Sequence, residues 1–188
     1  GATPVFRVYH GLNAEFAELI TGPRARADRP APAQRLRIIA VGRHVHKKGF
    51  DLLVTACAHL ARRGVAVDAT IIGEHGDETD AIAAAIRDLR LEQHVQLLGP
   101  MSQSDLLAAL RNASVFCLPC RVTDDGDRDG IPNVLVEAMA TGVTVVTTKV
   151  SGIPELVQDG QTGLLVEPDQ AIAIADALER LHRDTTLA

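Results

Sequence analysis

Two carboxylates eight positions apart, Asp129 and Glu137, bracket the stretch of this sequence with the most chemical content, Asp-Gly-Ile-Pro-Asn-Val-Leu-Val-Glu. An acidic segment, Asp124-Asp125-Gly126-Asp127-Arg128-Asp129, runs into Gly130 and Pro132, and an apolar run then ends at Gly142. Proline is tolerated in the first turn of a helix, where its missing N–H would be unpaired anyway, and glycine favours the position just past a helix end. The spacing predicts a short helix from Pro132 to Thr141. The free N–H groups around such a start, on Gly130, Ile131, Asn133 and Val134, suit a phosphate or another anion, with the positive end of the helix dipole behind them. Glu137 falls more than one turn into the helix, so its carboxylate reaches a group lying beside it, such as a sugar hydroxyl. A plainer reading stays open, in which Asp129 is a solvated loop acid and Glu137 a surface helix residue.

A second constellation is basic. Gly42-Arg43-His44-Val45-His46-Lys47-Lys48-Gly49 follows the apolar run Leu36–Val41 and precedes a helical pattern from Asp51 to about Arg62, with Leu52, Leu53, Ala56 and Leu60 on one side. Strand, basic loop flanked by glycine, then helix is a phosphate-site arrangement. Arg43 would serve as a fork and Lys48 as a point charge, although basic loop residues are often merely solvated. His44 and His46 have no Cys, His or Asp partner at a recognisable ligand spacing, so a metal pair is set aside. Only Gly42 and Gly49 stand where a dinucleotide fingerprint needs three glycines.

The elements that must position these residues alternate along the chain. Val67–Ile72 reads as a second buried strand, followed by a helix from about Glu78 to Leu91 with Ile82, Ala85, Ile86 and Leu89 inward. Val95–Leu98 is a third strand, and Ser102 or Ser104 caps a helix running to Arg111. Val115–Leu118, Val143–Thr147 and Gly163–Val166 are further strands, with one short helix within 151–157. Asp169 is expected to cap a last helix through Arg183, with Ile174, Leu178 and Leu181 inward. At the beginning, Val5–Tyr9 reads as a strand leading to a His10-Gly11-Leu12-Asn13 turn, and 21–35 as an irregular loop rich in Pro and Arg. The alternation implies an α/β, Rossmann-like doubly wound parallel sheet with helices on both faces. Ligands on such a sheet bind at the carboxyl ends of its strands. Arg43, Lys48, Met101, Asp129 and Glu137 all follow strand ends.

The 188 residues suffice for one domain, expected to span 1–188. With 46% apolar and 23% charged residues the composition is that of a soluble globular protein. A net charge of −5 and the lack of a Lys/Arg cluster argue against nucleic acid as a partner. No apolar run approaches the ~20 residues that span a bilayer, and the expected compartment is the cytoplasm. Cys117-Leu118-Pro119-Cys120 has a redox-like spacing, but it ends a strand pattern where a thioredoxin-type pair would start a helix. Cys117 is read as a core residue and Cys120 as a small loop residue. Asp125-x-Asp127-x-Asp129-Gly130 copies half of a calcium loop, yet position twelve is Val136 and a strand precedes it.

Asp129, seven residues, Glu137, then Ala138-Met139-Ala140-Thr141-Gly142 resembles the donor-binding signature of retaining glycosyltransferases of family 4, which have the GT-B fold. That family usually has Glu at the first position, where this chain has the shorter Asp129. Gly42-Arg43 and Lys48-Gly49 resemble the family's phosphate loop, and the matches run from about Val5 to Arg183. The resemblance implies the C-terminal, nucleotide-sugar-binding half of a transferase in polysaccharide or glycolipid synthesis. Arg43 and Lys48 would hold the diphosphate and offset its charge as it leaves, without a metal or other cofactor. Gly130, Ile131, Asn133 and Val134 would face phosphate and sugar through their N–H groups, Asp129 the sugar and Glu137 the ribose. Met101 would lie against the base, or stand in a turn without a ligand. The partners implied are a nucleotide-diphosphate sugar and an N-terminal acceptor domain. That missing domain would be needed for turnover and would carry any contact with the inner membrane face. The rival expectation is a non-catalytic nucleotide-binding or regulatory module of the same fold, and a nucleotide-sugar epimerase is a third.

Overall fold

Six largely apolar runs become six strands: the central ones are buried beneath the helices, Val115–Leu118 fully so, while the edge strands Val95–Leu98 and Leu164–Val166 are partly open. A computed structural model describes residues 35–184; the expected strand at Val5–Tyr9, its turn, and nearly all of the loop 21–35 lie outside the described residues. In chain order the elements are β1 (Leu36–Val41), α1 (Phe50–Arg62), β2 (Val67–Ile72), α2 (Thr79–Asp88), β3 (Val95–Leu98), α3 (Gln103–Asn112) and β4 (Val115–Leu118). They continue with α4 (Asn133–Thr141), β5 (Thr144–Thr148), α5 (Ile153–Leu156), β6 (Leu164–Val166) and α6 (Ala171–Arg183).

The strands pair in the order β3-β2-β1-β4-β5-β6, all parallel. Leu36 to Val41 lie opposite Val67 to Ile72 on one side of β1, and Ile38 lies opposite Val115 on the other. The chain therefore steps outward from β1 to β3, crosses back, and steps outward the other way from β4. Right-handed crossovers then place α1 and α2 on one face and α3 and α4 on the other. Packing agrees, since α1 meets α2 and α6 while α3 meets α4. The reversal between β1 and β4 leaves a crevice at their carboxyl ends, where the loops depart to opposite faces.

Several boundaries differ from expectation for local reasons. Helix α2 stops at Asp88 because Arg90 takes a left-handed conformation (φ 56°) and turns the chain, which leaves Leu89 exposed and buries Leu91 instead. Pro132 is the residue before α4 rather than its first: its ψ of 127° is extended while its carbonyl already accepts from Leu135 N–H at 3.0 Å. Gly142 ends that helix in the left-handed region at φ 82°, as its position suggests. Ser102 caps α3 by accepting from Asp105 N–H at 3.2 Å. Asp169 does not cap α6; Gln170 precedes that helix without a side-chain cap, and Asp169 turns to Arg121.

Gly49 sits at φ 65° between the basic loop and α1, and a Cβ there would collide with the Pro119 carbonyl oxygen beyond β4. Gly142 has a comparable φ but nothing within 4 Å of its would-be Cβ. Gly142→Ala should cost only the left-handed penalty of about 1–2 kcal/mol. Gly49→Ala adds overpacking and should cost about 2–4 kcal/mol. Urea unfolding of the two variants checks the ordering, and equal midpoints would mean the loop yields at Gly49.

Candidate functional site

The crevice between β1 and β4 is built from two loops, and the basic one is a series of tight turns. Val45 N–H donates to the Arg43 carbonyl at 2.8 Å, Lys48 N–H to that of Val45 at 3.0 Å, and Gly49 N–H to that of His46 at 3.1 Å. His46–Lys48 thus forms one 3-10 turn. The aliphatic stem of Lys48 lies over Gly42, where a Cβ would stand 3.2 Å from Lys48 Cε. Arg43 is exposed and has no ion-pair partner among the described residues.

His44 is fully buried beneath the loop and ties it to α2. Its N–H donates to Glu74 O and its carbonyl accepts from Glu78 N–H, both at 3.0 Å, while Nδ1 lies 3.2 Å from Thr79 Oγ1. Thr79 Oγ1 also accepts from Gly76 N–H at 2.9 Å, which leaves the hydroxyl hydrogen for the imidazole. The ring meets Phe50 edge-on, with centroids 5.9 Å apart. Burial, with His75 nearby, pushes the His44 pKa below its ordinary value.

The acidic loop leaves β4 in a fixed direction because β5 holds the exit. Thr147 Oγ1 donates to Leu118 O at 2.7 Å and Thr148 Oγ1 to Cys120 O at 2.5 Å, both buried. Within the loop Thr123 O accepts from Gly126 N–H at 2.8 Å and Asp127 O accepts from Thr123 N–H at 2.9 Å. This compact turn aims Asp127 and Asp129 back across the crevice. Lys48 Nζ lies 2.8 Å from Asp129 Oδ2, with the side chains 13% and 18% exposed, and Lys47 Nζ lies 3.1 Å from Asp127 Oδ2. Cys120 Sγ is 3.8 Å from the same Asp129 oxygen, and burial together with Asp129 pushes its pKa up to about 12, so it remains a thiol. Asp125 turns instead to Thr123 and the Asp127 N–H. Among the described residues no three His, Cys, Asp or Glu side chains are grouped to hold a metal ion.

Beyond Asp129 the chain enters α4 with Ile131 wedged where a Cβ on Gly152 would come within 2.9 Å of it. The N–H groups of Gly130, Ile131, Asn133 and Val134 donate to no backbone or side-chain group among the described residues. Glu137, in the second turn, is half-buried without a cation or donor beside it among the described residues, and burial raises its pKa. The structure thus brings Lys48 and Asp129 into contact and sets Glu137 on α4 and Arg43 after β1, at the exits that flank the reversal. Met101 stands past β3, at the sheet's edge and two strands from β1, and is 39% exposed.

Sequence reasoning passed over four residues that shape this site: Lys47, Arg121, Thr147 and Thr148. Two hydroxyls closing a buried strand, and one arginine three residues beyond an apolar strand end, were the available signals. Arrangements that set cations against the open N–H groups of a helix start across a parallel-sheet crevice can hold an anionic ligand.

Residues 23–188 match the family described as glycosyl transferases group 1. The chain belongs to that family. It is 41% identical over 155 residues to an amylovoran biosynthesis glycosyltransferase of Erwinia amylovora, covering 82% of this chain and 38% of that protein. It is 34% identical over 172 residues to a GDP-mannose-dependent alpha-(1-6)-phosphatidylinositol monomannoside mannosyltransferase of Mycobacterium tuberculosis, covering 88% and 44%. Among solved structures, Anabaena HepE in complex with UDP and glucose superposes with a TM-score of 0.74 at 23% identity, over 96% of this chain and 48% of that one. The fold is accordingly the Rossmann-like architecture found in GT-B glycosyltransferases. The chain spans less than half the length of the curated relatives it matches. No helix among the described residues is long and apolar enough to cross a membrane.

The His44 attachment makes stability depend on pH. Its folded pKa lies below the unfolded value of 6.5, so the unfolded chain binds the extra proton first. Its stabilising contribution is complete above that value and is lost as pH falls through it towards the folded pKa. The urea midpoint should fall below about pH 6.5, and His44→Asn should remove that part of the slope. Parallel pH profiles for the two proteins would assign the effect to other histidines.

Proposed function

We propose that this domain binds the nucleotide-diphosphate sugar donor of a retaining glycosyltransferase of family 4, acting in polysaccharide or glycolipid synthesis. The observation that carries the reading is the contact, across the β1/β4 crevice, of Lys48 with Asp129, the residue that leads into a helix start whose N–H groups have no acceptor among the described residues. The named activities of the relatives and the UDP and glucose in the HepE complex support the choice of ligand. In this proposal the diphosphate takes the place of Asp129 at Lys48, and Arg43 closes on it from the open side. The released Asp129 carboxylate then faces the sugar, and Glu137 accepts from the ribose hydroxyls. Lys48, Arg43 and the α4 N–H groups stabilise the charge that grows on the departing diphosphate. The chain's own cations perform this role, and no metal or other cofactor is required. Acceptor binding falls to an N-terminal domain, and the isolated domain binds donor without turning it over. The close Lys48–Asp129 pair also favours a second reading, a non-catalytic nucleotide-binding module in which Asp129 would remain the counter-ion of Lys48.

Titration calorimetry with UDP, GDP and ADP and their glucose or mannose derivatives tests the donor reading. At least one nucleotide should bind, equally well in chelator and in magnesium, and Lys48→Ala should cost about 1.5–3 kcal/mol of that affinity. Binding that requires a divalent cation would overturn the metal-free mechanism. Asp129→Asn separates the two readings in a protein joined to its N-terminal domain: lost turnover with retained diphosphate affinity supports the enzyme, and unchanged turnover does not.

Glu137 should show a trade between stability and binding. Its raised pKa means that the ionised, half-buried carboxylate opposes folding above its folded pKa, and this opposition is relieved as pH falls from there towards the unfolded value of 4.5. Glu137→Gln should therefore raise the Tm at neutral pH by about 1–2 °C. The same variant should weaken nucleoside diphosphates and nucleotide sugars alike, since both carry the ribose. A lower Tm with full affinity would make Glu137 a structural residue.

A further inference from the structure

The turn that carries Lys47 and Lys48 has no apolar anchor of its own: none of the three residues His46–Lys48 is buried. Something else must fix two lysines whose position decides whether they face the crevice. His44 anchors the start of the loop, and at the turn itself the structure offers a second buried side chain, Arg121, which is 6% exposed and stands directly after the Cys117–Cys120 stretch. Its backbone N–H donates to Lys47 O at 2.9 Å. Its guanidinium Nη2 reaches both carboxylate oxygens of Asp51 at 2.9 and 2.8 Å, in the first turn of α1. Nη1 lies 3.1 Å from His46 Nε2. Nε stands 3.1 Å from Asp169 Oδ1, a contact of charge rather than of hydrogen-bond direction.

One guanidinium therefore joins the exit of β4, the lysine turn, the start of α1 and the loop before α6. A cation is costly to bury unless it is paired, and Arg121 has two carboxylates about it. A lysine would retain the charge but could not reach all these partners, because its single ammonium lacks the planar fork. The guanidinium's partners are Asp51, His46 and Asp169, not Lys48 or Asp129. Its influence on an anion in the crevice would pass through the turn.

We infer that Arg121 is a positioning residue that holds the His46–Lys48 turn so that Lys48 meets the anionic ligand. The inference rests on the donor-site reading for the ligand, whereas the hold on the turn itself is independent of it. Two measurements on the 188-residue chain separate them. The first is amide hydrogen exchange without ligand. In Arg121→Met the amides of Lys48 and Gly49 should exchange about tenfold faster or more, while those of β1 and β2 keep their rates. The second is a double-mutant cycle by calorimetry with whichever of UDP, GDP or ADP the parent protein binds. Arg121→Met should weaken that nucleotide by about 5–10-fold in the parent and by little further in the Lys48→Ala background, the mark of two residues acting as one unit.

Arg121→Lys should weaken binding in the same non-additive way, and Asp51→Asn offers the same cycle should both Arg121 variants fail to fold. An equal loss in the presence and absence of Lys48 would overturn the inference, as would unchanged exchange at Lys48 and Gly49. Faster exchange throughout the sheet would also overturn it, leaving Arg121 a general stabiliser of the fold. If the parent chain binds none of the three nucleotides, the donor reading falls, and the exchange rates still decide whether Arg121 holds the turn.

Discussion

Everything in the crevice depends on the close approach of the basic loop to the exit of β4. Gly49 makes that approach possible, because any side chain there would strike the Pro119 carbonyl, and the Arg121 N–H then ties the same exit to Lys47 O at 2.9 Å. Two loops that depart to opposite faces of a doubly wound sheet are thereby held side by side. Without this contact the charges on the two loops would belong to separate surfaces, each largely screened by solvent. With it, Lys48 and Asp129 meet at 2.8 Å in partial burial, where a charge-assisted hydrogen bond is stronger than in water.

The site also leaves polar groups unsatisfied. At the exit of β4 the carbonyls of Leu118 and Cys120 are matched by the hydroxyls of Thr147 and Thr148. At the start of α4, four N–H groups have no acceptor among the described residues, and Glu137 is half-buried without a partner among them. A sequence selected for stability alone would cap that helix with Ser, Thr, Asp or Asn and would place a cation beside Glu137. Here Pro132 stands at the cap position and has no side-chain acceptor to offer. Departures from local consistency of this kind concentrate at functional sites, and these fall at the point where the topology opens a crevice.

Much of the architecture was legible because strand burial writes itself into composition. Leu36–Val41, Val67–Ile72, Val95–Leu98 and Val115–Leu118 are apolar runs of strand length bounded by glycine or polar residues, and the structure places strands on all four. The two charged loops were legible for a related reason, since a strand-to-helix junction that combines glycine, proline and charge suits a bound anion better than it suits a packed core. What escaped was pairing over long sequence distance. Arg121 and Asp51 are 70 residues apart, and no periodicity connects them. Asp169 has the right type and place for a helix cap, but Arg121 supplies a buried cation that the sequence around Asp169 does not announce. Leu89 fits the helical stripe of α2, yet a left-handed Arg90 ends the helix before the stripe is complete.

Asp129 illustrates how a neighbourhood decides what one residue type can do. On its own it would be a loop acid that attracts any passing cation. Cys120 beneath it stays a thiol, because burial and the adjacent carboxylate both oppose its ionisation, so it adds no competing charge. Lys47 is drawn aside to Asp127 at 3.1 Å, although it also lies within 3.9 Å of Asp129. The cation left for Asp129 is Lys48, whose stem is confined over Gly42. In the donor-site reading proposed above, a ligand anion that competes for Lys48 must therefore outdo one carboxylate at a fixed point, and it would have in its favour the N–H groups of α4 that no described residue accepts from. In the same reading the acidic loop would act as a placeholder for negative charge, keeping the cation oriented while the helix start remains open.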